Sequence, residues 1–102
     1  MRFGLKEDTI NKINEVFSHY PLVSEVIIYG SRAKGNYKNG SDIDLTIKGE
    51  NLNLIILNTI DLELDDLLLP YTFDLSVFKQ ISNPDLVSHI ERVGKVFYKK
   101  QN

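Results

Sequence analysis

Three aspartates are the residues whose types and spacing best suit a chemical role. Asp42 and Asp44 lie two apart in a segment that alternates polar and apolar side chains. Both therefore point to one side of a predicted strand, about 7 Å apart. Asp74 lies on the polar alternate of a second such segment. Aspartate is disfavoured inside strands, so Asp44 and Asp74 suggest function, whereas Asp42 could also serve a turn after Gly40.

Carboxylates that converge in this way favour a metal site. They repel one another and raise each other's pKa values, and the same strand faces offer no set of three basic partners. A hard divalent cation removes the repulsion, and Mg²⁺ prefers carboxylate oxygens together with substrate phosphates. Two ions held about 4 Å apart would clamp an in-line phosphoryl displacement. The sequence thus predicts a two-magnesium site with Asp42, Asp44 and Asp74 as its ligands and catalytic residues.

A glycine–serine pair precedes the aspartates and suits phosphate binding. Gly30 and Ser31 follow a β-branched apolar run, where glycine allows the backbone to approach a phosphate closely. The Ser31 hydroxyl and the N–H groups after it could donate hydrogen bonds to that phosphate. Arg32, Lys34 or Lys38 could offset the remaining triphosphate charge, and Arg32, next to the pair, completes the predicted nucleotide-binding set.

The elements that position these residues follow from apolar periodicity. The pattern predicts helices over 6–19, 52–68 and 83–92, strands over 25–29, 42–48, 73–78 and 95–98, and a loop over 31–41 that could open with a helical turn. This order predicts an α/β or α+β fold, with a mixed sheet of about four strands flanked by helices. Residues 1–102 are expected to form a single domain.

The helix over 52–68 determines where the aspartates meet. It connects the strands that carry Asp44 and Asp74, and a right-handed crossover makes those strands parallel. Their starts then lie at the same edge of the sheet. The loop from Ser31 leads back to Asp42, so the phosphate-binding turn is predicted at that edge as well.

The same helix has more leucines than one sheet contact requires. The stripe expected to face the sheet consists of Leu52, Ile56, Ile60, Leu64 and Leu67. Four further leucines lie outside it: Leu54, Leu57, Leu62 and Leu69. We interpret these as core residues, with a partner-binding face as the alternative.

Composition excludes several classes of function. The net charge of −2 argues against binding long nucleic acid through a broad basic surface, and the absence of cysteine excludes disulfides and thiolate chemistry. The start has no apolar signal region, and polar residues interrupt the leucine-rich stretch, so a cytoplasmic protein without a membrane span is expected. His19 and His89 have no partner motif and are interpreted as ordinary surface or packing residues.

These residues carry a resemblance to a known family. The run from Tyr29 to Gly35, YGSRAKG, followed by GSDIDL from Gly40 to Leu45, resembles the minimal nucleotidyltransferase (MNT) branch of the polymerase-β-like nucleotidyltransferase superfamily. The third carboxylate of that family matches Asp74. The resemblance implies transfer of a nucleoside monophosphate, often AMP from ATP, with release of pyrophosphate. It also implies two Mg²⁺ ions held by Asp42 and Asp44, while Asp74 holds one and activates the acceptor hydroxyl.

The resemblance further suggests what accepts the nucleotide. Members of this branch are often encoded beside a small helical HEPN (higher eukaryotes and prokaryotes nucleotide-binding) toxin, which implies an antitoxin that nucleotidylates or covers its partner, in a homo- or hetero-oligomer. Three hypotheses follow. The first is an enzyme acting on a partner protein, the second a binding module acting by complex formation, and the third a drug-modifying nucleotidyltransferase.

Overall fold

The chain forms four helices and four strands over residues 1–101, which this computed structural model describes. The helices are α1 (Glu7–Ser18), α2 (Gly30–Lys34), α3 (Leu54–Asp65) and α4 (Pro84–Val93), with a 3-10 helix at Phe78–Gln80. The strands are β1 (Glu25–Tyr29), β2 (Ile43–Lys48), β3 (Phe73–Val77) and β4 (Lys95–Lys99). No helix within residues 1–101 is long and apolar enough to cross a membrane. The predicted order of elements is confirmed.

Some boundaries differ from the predictions for identifiable local reasons. Helix α3 begins two residues late because the Asn53 side chain caps it, accepting a 2.9 Å hydrogen bond from the Ile56 N–H. It ends before Leu68, whose φ of 54° is incompatible with a continuing helix. The turn suggested after Tyr29 forms the five-residue helix α2, which Gly35 closes in the left-handed conformation.

The strands form one mixed sheet in the order β3-β2-β1-β4. Strand β1 is antiparallel to both β2 and β4, whereas β2 and β3 are parallel. Asp44 pairs in register with Asp74 across the parallel strands and with Tyr29 across the antiparallel ones. Both the mixed four-stranded sheet and the parallel crossover through α3 are therefore as predicted.

Helices α1 and α3 cover one face of the sheet and form the main core with it. From α3, Ile60 and Leu64 are fully buried there, while Leu57 and Leu69 are partly buried against the same core. Leu54 and Leu62, however, are 62% and 67% exposed. The interpretation of the surplus leucines as core is thus wrong for these two, because they lie on the opposite side of the helix from Ile60.

Helix α4 covers part of the other face. Its Ile90 packs with Ile27 and Tyr29 in a second, smaller buried cluster. The helix begins where Asn83 accepts a 2.9 Å hydrogen bond from the Asp85 N–H, with Pro84 in its first turn. This face also carries the polar alternates of β2 and β3, so α4 borders the candidate site.

Candidate active site

A row of three polar side chains runs across three neighbouring strands at one end of the sheet. Tyr29 is at the end of β1, and Asp44 and Asp74 are near the starts of β2 and β3. Because the three residues are in register, their side chains share the face that α4 borders. Adjacent strands are about 5 Å apart, so the two carboxylates are neighbours. The predicted meeting of Asp44 with Asp74 is confirmed.

The carboxylate of Asp44 lies in an unfavourable electrostatic environment. Burial raises its pKa, and the negative charges of Asp74 and Asp42 raise it further. His89 and Arg32 only partly oppose this shift. Burial and Asp74 likewise raise the pKa of Tyr29. A cation beside Asp44 would relieve the repulsion, so this donor set fits a hard divalent metal such as Mg²⁺.

Asp42 lies just before β2, outside the register pairs of the sheet. It precedes β2 and is exposed, as is Asp74. Within residues 1–101, no three His, Cys, Asp or Glu side chains are grouped closely enough to hold a metal ion. The in-register pairing of the parallel strands thus includes Asp44 and Asp74 but not Asp42. Asp42 remains within electrostatic range of Asp44, and its exposed side chain can rotate toward a shared cation.

Gly30 is required by its backbone conformation and by its closeness to Asp44. Its φ is 71°, a left-handed value that favours glycine. A Cβ at this position would overlap Oδ2 of Asp44. The turn before α2 can therefore lie directly against the carboxylate only with glycine here. Ser31, the next residue, is half-buried in the first turn of α2.

His89 of α4 also belongs to the site. The backbone N–H of Gly30 donates a 3.2 Å hydrogen bond to Nε2 of His89. The His89 ring meets the Tyr29 ring edge to face, with centroids 6.1 Å apart. The interpretation of His89 as an ordinary packing residue is therefore incomplete, because a residue 59 positions from Gly30 has no local sequence signal that joins the two.

The Arg32 guanidinium is engaged differently from the prediction. Only 2% of Arg32 is exposed, and its Nε and Nη2 donate to the Ser41 carbonyl at 3.1 and 2.9 Å. Its Nη1 donates to the Phe3 carbonyl at 2.9 Å, and the group also lies over the rings of Tyr37 and Tyr71. Arg32 therefore fixes the loop that leads into Asp42. Lys34 and Lys38, by contrast, are exposed.

A cleft of about 230 Å³ opens beside the carboxylates. Its walls come from α3 and from β3: Leu57, Asn58, Asp61, Phe73, Asp74 and Leu75. Strand β3 is at the edge of the sheet, so the cleft is reached from outside without crossing another strand. Asp74 is thus paired in register with Asp44 and also lines this groove.

Residues 11–102 match the model of the polymerase beta nucleotidyltransferase family. The chain belongs to this family. The matched range includes the whole row of site residues and the turn at Gly30. No curated protein matches this nucleotidyltransferase-family sequence.

Several solved structures share the fold. A toxin–antitoxin with AMP-PNP matches with a TM-score of 0.72 at 22% identity, covering 95% of this chain and 76% of that one. An MNT antitoxin in complex with a tri-AMPylated HEPN toxin from Shewanella oneidensis matches at 0.69 and 19%, covering 95% and 75%. The toxin–antitoxin MntA-HepT matches at 0.68 and 19%, covering 94% and 74%. One of these structures is thus an MNT antitoxin in complex with a HEPN toxin, and its likeness to this nucleotidyltransferase-family chain is one of fold.

Proposed function

We propose that this nucleotidyltransferase-family protein transfers AMP from ATP to a partner protein in a Mg²⁺-dependent reaction, and that it is the antitoxin of a HEPN-type toxin in the cytoplasm. The observation that carries the proposal is the register pair of Asp44 and Asp74 beside the Gly30 turn. This arrangement combines close carboxylates with a backbone that a phosphate can approach.

The three carboxylates would have different roles in the reaction. Asp42 and Asp44 would hold two Mg²⁺ ions, and Asp74 would hold one of them. Bound Mg²⁺ would supply charge neutralisation and orientation for the triphosphate. Asp74 would accept the proton of the acceptor hydroxyl, whose oxygen forms a bond to the α-phosphorus. The bond between that phosphorus and the bridging oxygen breaks, and pyrophosphate leaves.

The turn and the loop would bind and orient the nucleotide. Gly30 would let the backbone approach a phosphate closely, and the Ser31 hydroxyl with the N–H groups after it would donate hydrogen bonds to that phosphate. Arg32 is buried among carbonyl partners, so we assign it the positioning of the loop before Asp42. The exposed Lys34 and Lys38 are then the cations best able to reach the triphosphate.

Two considerations support a protein as the acceptor. The neighbouring structures include a toxin–antitoxin with AMP-PNP and an AMPylated HEPN toxin with its MNT antitoxin. The net charge of −2 also disfavours a long nucleic acid as acceptor. A small helical HEPN-type protein is thus the partner that we propose.

Labelled ATP provides the test. The protein is incubated with Mg²⁺, ATP labelled at the α-phosphate and a purified HEPN-type protein from the same genome. We expect label on the partner with wild type and none with Asp44→Ala or Asp74→Ala. The matched control is Asp8→Ala, which removes an exposed aspartate of α1 and should leave labelling unchanged. Equal labelling by Asp44→Ala and wild type would contradict the proposal.

A non-catalytic antitoxin is the second candidate, and the exposed leucines of α3 favour it. A protein can neutralise a toxin by covering it, and exposed apolar patches mark interaction surfaces. Toxicity assays with the same variants separate the two functions. Neutralisation that survives in both Asp44→Ala and Asp74→Ala would assign the antitoxin effect to complex formation.

A further inference from the structure

The outward side of α3 is apolar although nothing within residues 1–101 covers it. Leu54, Ile55 and Leu62 are exposed by 62%, 76% and 67%. Together with Asn58 they form a stripe on the opposite side of the helix from the buried Ile60, which we call the outer face of α3. Isolated exposed apolar residues are common, but several on one helix face are typical of a protein-binding surface.

The charged residues of α3 and of the segment that follows it are all acidic. Residues 54–69 contain four carboxylates and neither lysine nor arginine. One of them, Glu63, accepts a hydrogen bond from the Tyr20 hydroxyl and contacts His19, so it is turned toward α1. Asp61, Asp65 and Asp66 remain as a rim. Two copies of such a face would repel each other, whereas a surface with lysine and arginine around an apolar centre would be attracted.

The outer face continues into the cleft at the candidate active site. Asn58 belongs to the outer face and also lines the cleft beside β3. The opposite wall of that cleft includes Asp74, the proposed base. The Asp74 side chain lies on the face of the sheet away from α3, so a protein seated on the outer face would reach it around the edge at β3, where this cleft lies.

We propose that the outer face of α3 is the docking surface for the acceptor protein, and that this partner presents apolar side chains bordered by lysine and arginine. The proposal rests on the proposed function, since it names the surface through which the acceptor reaches Asp74. It adds that residues of α3 recognise the partner, whereas residues of the sheet carry out the chemistry.

Two exposed leucines provide the principal test. Leu54→Ser/Leu62→Ser should leave folding intact, because both side chains are exposed. Binding of the purified HEPN-type protein is measured by calorimetry and compared with wild type. We expect Kd to rise by about tenfold or more, the usual loss when an anchoring apolar residue is truncated. Leu22→Ser removes a leucine that is 44% exposed, outside α3, and should leave Kd unchanged.

Charge reversal tests the chemistry of the partner. Asp65→Lys/Asp66→Lys should slow association and reduce its dependence on salt, because the acidic rim would no longer attract a basic surface. An association rate equal to that of wild type at low ionic strength would contradict the assignment of a basic partner.

Several outcomes distinguish the docking surface from the proposed chemistry. Wild-type Kd in Leu54→Ser/Leu62→Ser, or no binding by the wild-type protein, overturns the docking surface. A wild-type homodimer that this double variant dissociates also overturns it, in favour of a second copy. If the double variant loses affinity while Asp44→Ala still labels the partner, the docking surface stands and the proposed chemistry fails.

Discussion

Substitution of Gly30 by alanine tests the geometry of the site most directly. The left-handed backbone at this residue costs about 1–2 kcal/mol for an alanine. In a domain of this size such a loss lowers Tm by roughly 4 to 16 °C. The new methyl group would also overlap Oδ2 of Asp44, so that carboxylate must move. A displacement of about 1 Å in a reacting group can reduce the rate about 100-fold.

Gly35 supplies a matched control for the backbone strain. Its φ is 90°, and a Cβ there would have no heavy atom within 4 Å. Gly35→Ala should therefore lower Tm in a similar way while nucleotidyl transfer is retained. Gly30→Ala should lower Tm at least as far and also lower kcat about 100-fold, because only its methyl group reaches Asp44.

The assay is transfer of label from ATP to the partner protein, with thermal unfolding followed in parallel. Rates are measured well below the Tm of each variant, so that unfolding does not contribute to the loss. Equal rates for Gly30→Ala and Gly35→Ala would refute the reasoning, because the contact with Asp44 would then have no effect on chemistry.

Three other predictions follow from the same site. The pKa of Asp44 is raised on folding, so its contribution to stability is present at low pH and lost as pH rises through that pKa. Asp44→Asn should therefore have a higher Tm than wild type at pH 7 and the same Tm below pH 3.8. It should also abolish nucleotidyl transfer. An unchanged Tm at pH 7 would contradict this reasoning. Arg32→Lys should lower the free energy of unfolding by about 1.5–3 kcal/mol in urea titrations, since lysine cannot reproduce the paired bonds to Ser41. The exposed Arg92→Lys is its control. His89→Phe keeps a ring beside Tyr29 but cannot accept from Gly30, so we expect kcat/KM to fall about tenfold and Tm to fall by roughly 4–8 °C.

The pairing at the centre of the site could be predicted because it depends on local patterns. Alternation placed Asp44 and Asp74 on polar strand faces, and the helix between them required a parallel crossover. Both inferences use residues that are close in sequence or joined by one element. The position of Gly30 at the same edge followed from the loop that returns to Asp42.

Contacts between segments that are far apart in the chain could not be predicted from the sequence. His89 meets Gly30 only because α4 packs on β1, and Arg32 is buried only because Phe3, Tyr37 and Tyr71 surround it. Arg32 was predicted to bind phosphate because of its charge. Periodicity placed four leucines outside the sheet-facing stripe, but it could not reveal that Leu54 and Leu62 are exposed while the other two pack against the core.

The edge position of β3 has a consequence for handling the protein. An edge strand offers unpaired backbone groups to other chains, and charged side chains discourage such pairing. The other edge strand, β4, has Lys95 and Lys99 at its ends, whereas Asp74 is the only charged residue in β3. Removing that charge leaves an apolar edge strand prone to aggregation. Of the two inactive variants, Asp44→Ala should therefore stay in solution better than Asp74→Ala, since catalysis and solubility depend on the same carboxylate.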